Sequence, residues 1–269
     1  MQNPKTYSVS KLKGLPILGF LPHVLKNPLG FVMDLSQRYG DIITLPILGQ
    51  NIIQVNHPDI VRRIFIDNQK NYKKGKPYLR FQSAVGLGLL TSNGDKWKRD
   101  RQKIHPMFNR EQISGYYFDI ANSVSEKYKH RWLKLTENGK IQINITEEMA
   151  KITTEVILRS IFGNNISSEM VNSLYYSYDA IIEYLNNIRI FHNIDLRKLF
   201  CHPAYFRFKK ELANIDEKIK YLSEQYRNAG NADKYNMLSL LIEAQKADPT
   251  NFSEKDIRDQ TVSMVFAGF

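Results

Sequence analysis

A single cysteine, Cys201, stands in 269 residues. One thiol cannot close an intramolecular disulfide, which excludes a disulfide-stapled scaffold and favours a reducing, cytoplasmic setting. Long apolar runs are also missing. The stretch from Leu15 to Leu21 is broken by Pro16 and closed by Pro22, too short to span a bilayer, so neither a signal peptide nor a membrane anchor is expected. The six histidines, at 23, 57, 105, 130, 192 and 202, form no pair at metal-ligand helical spacing. Gly86-x-Gly88 lacks the third glycine of a dinucleotide loop, and no Gly-x-Ser-x-Gly occurs. Acidic charge is scarce: 27 Asp and Glu against 38 Lys and Arg leave a net charge of +11. Such a surplus attracts acidic partners. It is scattered, densest at Lys70–Lys76 and Lys96–Lys103, and no helix-turn-helix or RNA-binding motif accompanies it, so nucleic acid is not an expected partner.

The residues that are present suit a globular fold: 42% are hydrophobic and 24% charged, with 15 Tyr and 14 Phe to fill a core or an apolar pocket. Gly14, Pro16, Gly19 and Pro22 mark an irregular arm over 1–28. Asn27-Pro28 opens a helix that Gly40 ends. Ile42–Leu45 and Ile52–Val55, separated by Gly49-Gln50-Asn51, predict a β-hairpin within 41–56. His57-Pro58-Asp59 opens a helix with Ile60, Ile64 and Phe65 on one face. Beyond it the pattern is mostly helical to 269, with helices over 95–105, 110–135, 147–162, 168–187, 204–228 and 234–246, and one short strand at Ile141–Asn144. Asp248-Pro249-Thr250-Asn251 is a linker. Ser253-x-x-Asp256 then starts a last helix with Ile257, Met264, Val265 and Gly268 along one apolar face. The fold class is mainly α with a small β region, and the lack of βαβ alternation excludes a Rossmann sheet or an α/β barrel.

Four stretches, in order, carry a family resemblance: the Gly/Pro-rich arm with its helix and hairpin up to His57-Pro58; Gly86-Leu87-Gly88-Leu89-Leu90-Thr91-Ser92-Asn93-Gly94-Asp95-Lys96-Trp97, running into Arg101 and Pro106-Met107-Phe108; Asn236–Leu241; and Ser253–Gln260 continuing to Ala267-Gly268. Together they resemble the N-terminal part of the cytochrome P-450 family, the haem-thiolate monooxygenases, of the soluble bacterial type. The resemblance implies a single domain, of which 1–269 would be an incomplete portion ending within the distal helix.

At about 100° per residue, Trp97, Arg101, Ile104 and Phe108 form one helical stripe, with Lys96, Arg99 and Lys103 on roughly the opposite side. An Arg fork and an indole N–H turned into an apolar core require a polar target. The resemblance makes that target a haem propionate, with Trp97 and Arg101 as cofactor-binding residues. Without the family, the pair is a core Trp beside an exposed Arg. Ala267 and Gly268 resemble the start of the distal-helix motif Ala-Gly-x-acid-Thr, where small residues admit oxygen and substrate to the iron. The acid and Thr would lie past Phe269, so no residue receives a catalytic role.

The family's iron ligand sits in Phe-x-x-Gly-x-x-x-Cys-x-Gly after the distal helix. Cys201 does not fit it: Ile194 and Arg197 occupy the Phe and Gly positions and Pro203 the second Gly. No metal ligand is therefore assigned. Glu224-x-x-Arg227 matches the family's Glu-x-x-Arg only as a short string on a charged helical face, ahead of the distal segment. The resemblance implies haem as cofactor and an apolar small-molecule substrate into which one atom of O2 is inserted. The electron donor would be an acidic ferredoxin, flavodoxin or reductase domain, docking at Lys96, Arg99 and Lys103. The 88–97 stretch is closer to the fatty-acid-hydroxylase-like branch. Lacking the Cys loop, the chain is expected to be inactive alone. The alternative is a non-catalytic gene fragment or a helical ligand- or partner-binding protein.

Overall fold

The computed structural model describes residues 7–75, 77–137, 139–164, 166–186, 202–228 and 235–268. Cys201, Ile194, Arg197 and Phe269 lie outside them. The chain divides into two compact units, Met1–Lys73 and Lys74–Phe269.

Among its described residues, the first unit is a three-stranded sheet with three α-helices. β1 (Val9–Lys11) pairs in parallel with β2 (Ile42–Ile47), and β2 pairs antiparallel with β3 (Gln50–Val55). The arm expected to be irregular thus contributes a strand, and also α1 (Leu21–Lys26). In α2 (Pro28–Tyr39), Asn27 Oδ1 accepts from the Gly30 N–H at 3.0 Å, Pro28 takes the first turn, and Gly40 at φ 85° ends the helix. The hairpin turn is Leu48-Gly49, one residue ahead of the expected position. A two-residue hairpin loop of this kind needs positive φ at both central residues, and Leu48 (50°) and Gly49 (74°) supply it. Leu35, Ile43 and Leu45 make the small core. α3 (Pro58–Arg62) passes into a π turn over Arg63–Asp67, which breaks the 3.6-residue period and leaves Phe65 exposed rather than on the face with Ile60 and Ile64.

The second unit is helical: α4 (Pro77–Val85), α5 (Gly94–Ile104), α6 (Arg110–Gln112), α7 (Phe118–Thr136), α8 (Ile145–Phe162), α9 (Ser168–Asn186), α10 (Pro203–Asn228), α11 (Met237–Ala247) and α12 (Glu254–Gly268). A π turn at Ile113–Tyr117 joins α6 to α7, and a 3-10 turn at His105–Phe108 follows α5, where Pro106 removes a backbone donor. Ile141–Asn144 forms no strand, since no segment among the described residues pairs with it; instead Asn144 caps α8 through the Glu147 N–H. Leu158, Ile161, Leu174, Ile181, Ile215, Leu238, Leu241 and Val265 fill the core. α9 lies along α10, with Tyr184 stacked on Phe208 at 4.5 Å.

α12 is the centre of this unit, touching α4, α8, α10 and α11. Its start is the reciprocal cap expected from Ser253-x-x-Asp256: Asp256 Oδ2 accepts from the Ser253 N–H at 2.8 Å, and Ser253 Oγ accepts from the Asp256 N–H at 3.3 Å. A single apolar face was expected along it. Instead every residue from Asp259 to Val265 is buried, Asp259, Gln260, Thr261 and Ser263 included. A helix buried all round places its polar side chains on specific partners; Asp259 and Gln260 find theirs in the segment that carries Trp97, while Thr261 Oγ1 and Ser263 Oγ have none among the described residues.

Candidate functional site

The Gly-Leu-Gly-Leu-Leu stretch is a loop pressed onto α12. The Leu87 N–H donates to Asp259 Oδ2 and the Leu89 N–H to Gln260 Oε1, both at 2.8 Å. Gly86 has φ 69°, and a Cβ there would run into the Asp259 carboxylate. At Gly88 a Cβ would meet Ser263 Oγ and the Asp259 carbonyl group, its carbon at 2.9 Å. Gly88 is thus explained by close approach of two backbones, and Gly86 by its positive φ and the carboxylate seated against it. Arg258 completes the clamp, bonding Asp216 at 2.7 Å, Asp259 at 3.0 Å and the Ala84 carbonyl at 3.1 Å.

The loop delivers the chain into α5. Asn93 caps no α5 N–H with its side chain; its Oδ1 accepts from the Lys74 N–H at 2.8 Å. Trp97 is half-buried and Arg101 exposed, with the guanidinium 5.1 Å from the indole centroid. Lys74, which the sequence did not single out, joins them. Its ammonium donates to the carbonyls of Leu89 (2.6 Å) and Ser92 (2.9 Å) and lies 6.0 Å from both the Trp97 and Tyr78 rings. Burial lowers its pKa below the ordinary lysine value. The sequence signal for Lys74 was its place in the Lys70–Lys76 run, which composition alone cannot separate from solvated surface. Among the described residues, Arg101 pairs with no carboxylate and Trp97 Nε1 donates to no acceptor. Three donors gather in one place with no anion of the chain's own, a set suited to a carboxylate ligand.

The rest of the expected stripe divides: Ile104 is buried in the core and Phe108 is exposed. The basic side is not a free face. Lys96 is ion-paired to Asp100 at 3.0 Å and to Asp256, and Lys103 to Asp248 at 2.8 Å. Arg99 is half-buried, its Nε enclosed without a partner. Asp100 is fully buried, and Gln260 Nε2 donates to its Oδ2 at 2.8 Å. Burial raises the Asp100 pKa above the ordinary carboxyl range despite the Lys96 ammonium. Burial opposes charge on Lys96 too, but its bonds to Asp256 and Asp100 outweigh that and raise its pKa.

At the far end of α12, Ala267 is exposed and Gly268 faces α8, where an added Cβ would sit 2.9 Å from Ile157 Cγ1. Arg227 does not pair with Glu224; it bonds Glu254 and, at 3.2 Å, Gln245, tying α10 to α11 and α12.

Comparison with known proteins places this arrangement. The family model described as Cytochrome P450 matches residues 10–269. Cyclooctatin synthase of Streptomyces melanosporofaciens is 24% identical over 257 residues, 95% of this chain and 54% of that protein. Pentalenene oxygenase of Streptomyces avermitilis is 22% identical over 254 residues, 94% of this chain and 54% of that protein. Among solved structures, the haem domain of cytochrome P450DA superposes with a TM-score of 0.74 at 18% identity, covering 98% of this chain and 58% of that one. The retinoic-acid-bound cyanobacterial CYP120A1 superposes with a TM-score of 0.71 at 18% identity, covering 98% and 57%. The chain spans a little over half the length of these relatives.

Proposed function

The chain belongs to the cytochrome P450 family, and from that premise we propose that it supplies the propionate-binding helix and the first part of the distal helix of a haem monooxygenase acting on an apolar small molecule. Haem, when bound, supplies the activation of O2. The residues of this chain bind and orient. Arg101 and Trp97 Nε1 donate to a propionate, and Lys74 places a second positive charge beside them. The observation that carries the reading is this three-donor group, which among the described residues has no anion beside it. Ala267 and Gly268 keep the last turn of α12 slim, which suits the passage of oxygen and substrate. Pentalenene and retinoic acid, in the names of two relatives, fit an apolar substrate class. The finer assignment to fatty acids rests on the 88–97 stretch alone. An electron-donating protein completes the reaction. For an acidic donor, Lys96 and Lys103 contribute to steering only through the net field, since both ammoniums are neutralised within the chain.

Titration of the protein with hemin, followed by absorbance, tests the proposal. Charge-assisted hydrogen bonds contribute about 1.5–3 kcal/mol, so Arg101→Leu should weaken hemin binding at least tenfold, by the conversion of about 1.4 kcal/mol per decade. Trp97→Phe should weaken it by less. Unchanged affinity in both variants would refute the reading.

A further inference from the structure

Two helices face each other here with the same spacing. Lys96 and Asp100 are four residues apart on α5; Asp256 and Gln260 are four apart on α12. Each bonds its counterpart, Lys96 to Asp256 and Asp100 to Gln260, and Lys96 also pairs with Asp100. The four side chains form a chain of three contacts, which the turn of α12 between Asp256 and Gln260 closes into a ring. Gln260 extends it, since its Oε1 takes the Leu89 N–H of the loop that leads into α5.

We propose that Lys96, Asp100, Asp256 and Gln260 are positioning residues that fix the rotation of α5 about its axis and so aim Trp97 and Arg101, an inference that rests on the propionate-binding reading above. α5 has little else to set its rotation. Its sequence, Gly94 to Ile104, contains two apolar side chains, Trp97 and Ile104. Apolar packing is non-directional, whereas the ring has directions: Asp100 Oδ2 accepts from both Lys96 and Gln260, and Asp100 and Gln260 are themselves fully buried. Low local dielectric strengthens such bonds and makes breaking them costly. Trp97 and Arg101 each follow a ring member by one residue, so any rotation of the ring carries them with it. Lys103, paired with Asp248 and 5.2 Å from the Phe252 ring centroid, adds a third point on the same side. Recognition of a carboxylate by a guanidinium fork depends on orientation, which is what the ring supplies.

The protein contains two tryptophans, Trp97 and Trp132. Trp132 is held by Glu148 at 2.7 Å, between α7 and α8, and serves as an internal reference. Fluorotryptophan labelling gives one fluorine NMR resonance for each. In the unsubstituted protein, paramagnetic hemin should broaden the Trp97 resonance selectively, and Arg101→Leu should weaken hemin binding; failure of either counts against the haem reading itself. Asp100→Asn and Gln260→Leu should each shift the Trp97 resonance without hemin and weaken hemin binding about tenfold, within the coupling expected of one hydrogen-bonded network. In an Arg101→Leu background the same substitutions should change affinity by less than about twofold, the range for independent sites. Equal weakening in both backgrounds means a merely structural ring and overturns the proposal, as does an unmoved Trp97 resonance. If Asp100→Asn also collapses the Trp132 resonance, the fold is lost, and Lys96→Met, at the partly exposed end of the ring, is judged by the same two criteria.

Discussion

Replacing Gly88 by Ala adds one methyl group where the 86–92 loop meets the backbone of α12. The new Cβ would lie 2.9 Å from the Asp259 carbonyl carbon and closer still to the carbonyl oxygen and to Ser263 Oγ. Ser263 can rotate, but helix backbone cannot, so the loop must move. Overpacking of a closed contact costs about 1–3 kcal/mol. Displacing the loop also stretches the Leu87 bond to the Asp259 carboxylate and the Leu89 bond to Gln260, both 2.8 Å. A hydrogen bond to a charged group contributes about 1.5–3 kcal/mol and a neutral one about 1. Partial loss of both adds about 1–2 kcal/mol, for a total of roughly 2–5 kcal/mol. The check is urea unfolding followed by circular dichroism. Gly115→Ala is the control: a Cβ there meets nothing within 4 Å, and Ala in place of Gly in a helical segment gains about 0.5–1 kcal/mol. A Gly88→Ala midpoint equal to that of the unsubstituted protein would refute the reasoning, because it would mean the loop is not held against α12.

Glu155 is buried and accepts from Lys127 at 2.8 and 3.0 Å and from Arg159 at 2.8 Å. Burial pushes its pKa up, but these two cations outweigh it and hold the folded value below the ordinary 4.5. A carboxyl with a lowered folded pKa stabilises fully above its unfolded value and loses that contribution as pH falls through the folded one. Glu155→Gln should therefore cost roughly 3 kcal/mol near neutral pH, and the difference from the unsubstituted protein should shrink below pH 4.5. A difference that holds constant into acid would contradict the pairing. Asn236 caps α11 from a buried position, accepting the Ser239 N–H at 2.8 Å, whereas the Asn144 cap on α8 is exposed and reaches the Glu147 N–H at 3.4 Å. Asn236→Ala should cost about 2 kcal/mol and Asn144→Ala about 0.5, measured by denaturant midpoint. Equal costs would show that burial of the cap is not what matters.

Helices with a repeated apolar pattern and a cap at each end were legible to within a few residues: α2 between Asn27 and Gly40, and α12 behind its Ser253–Asp256 cap. Elements whose existence depends on distant partners were not. β1 has three residues and forms only because β2 lies beside it. Ile141–Asn144 has strand-like alternation and no partner, so it stays irregular. The hairpin turn moved by one residue because register follows φ at Leu48 and Gly49 rather than composition. That Trp97 and Arg101 lie side by side was readable from their four-residue spacing. Lys74 was not, because its meaning comes from the carbonyls of Leu89 and Ser92, fifteen and more residues away.

The misread face of α5 has a geometrical cause. With Lys96 set at 0° and about 100° per residue, Asp100 falls near 40°, Ile104 near 80°, Trp97 near 100°, Arg101 near 140° and Lys103 near 340°. Dividing the helix into an inward stripe with Trp97 and an outward one with Lys96 assumes that the basic residues seek water. The buried residues are Asp100 and Ile104, so the inward sector lies between the two stripes and takes in Lys96 and Lys103 at one edge and Trp97 at the other. Arg101 alone of these clears it. A periodicity argument fixes which residues share a side; it does not fix which side packs, and in a helix this polar that choice belongs to carboxylates on other elements. Asp256 and Gln260 repeat at the same interval as Lys96 and Asp100, and Asp248 sits across from Lys103. The arrangement leaves the Arg101 guanidinium, stacked on Trp97, at this helix's solvent edge, where no carboxylate among the described residues pairs with it. Burial of an acid beside a lysine, rather than the lysine itself, therefore marks the side on which this helix packs.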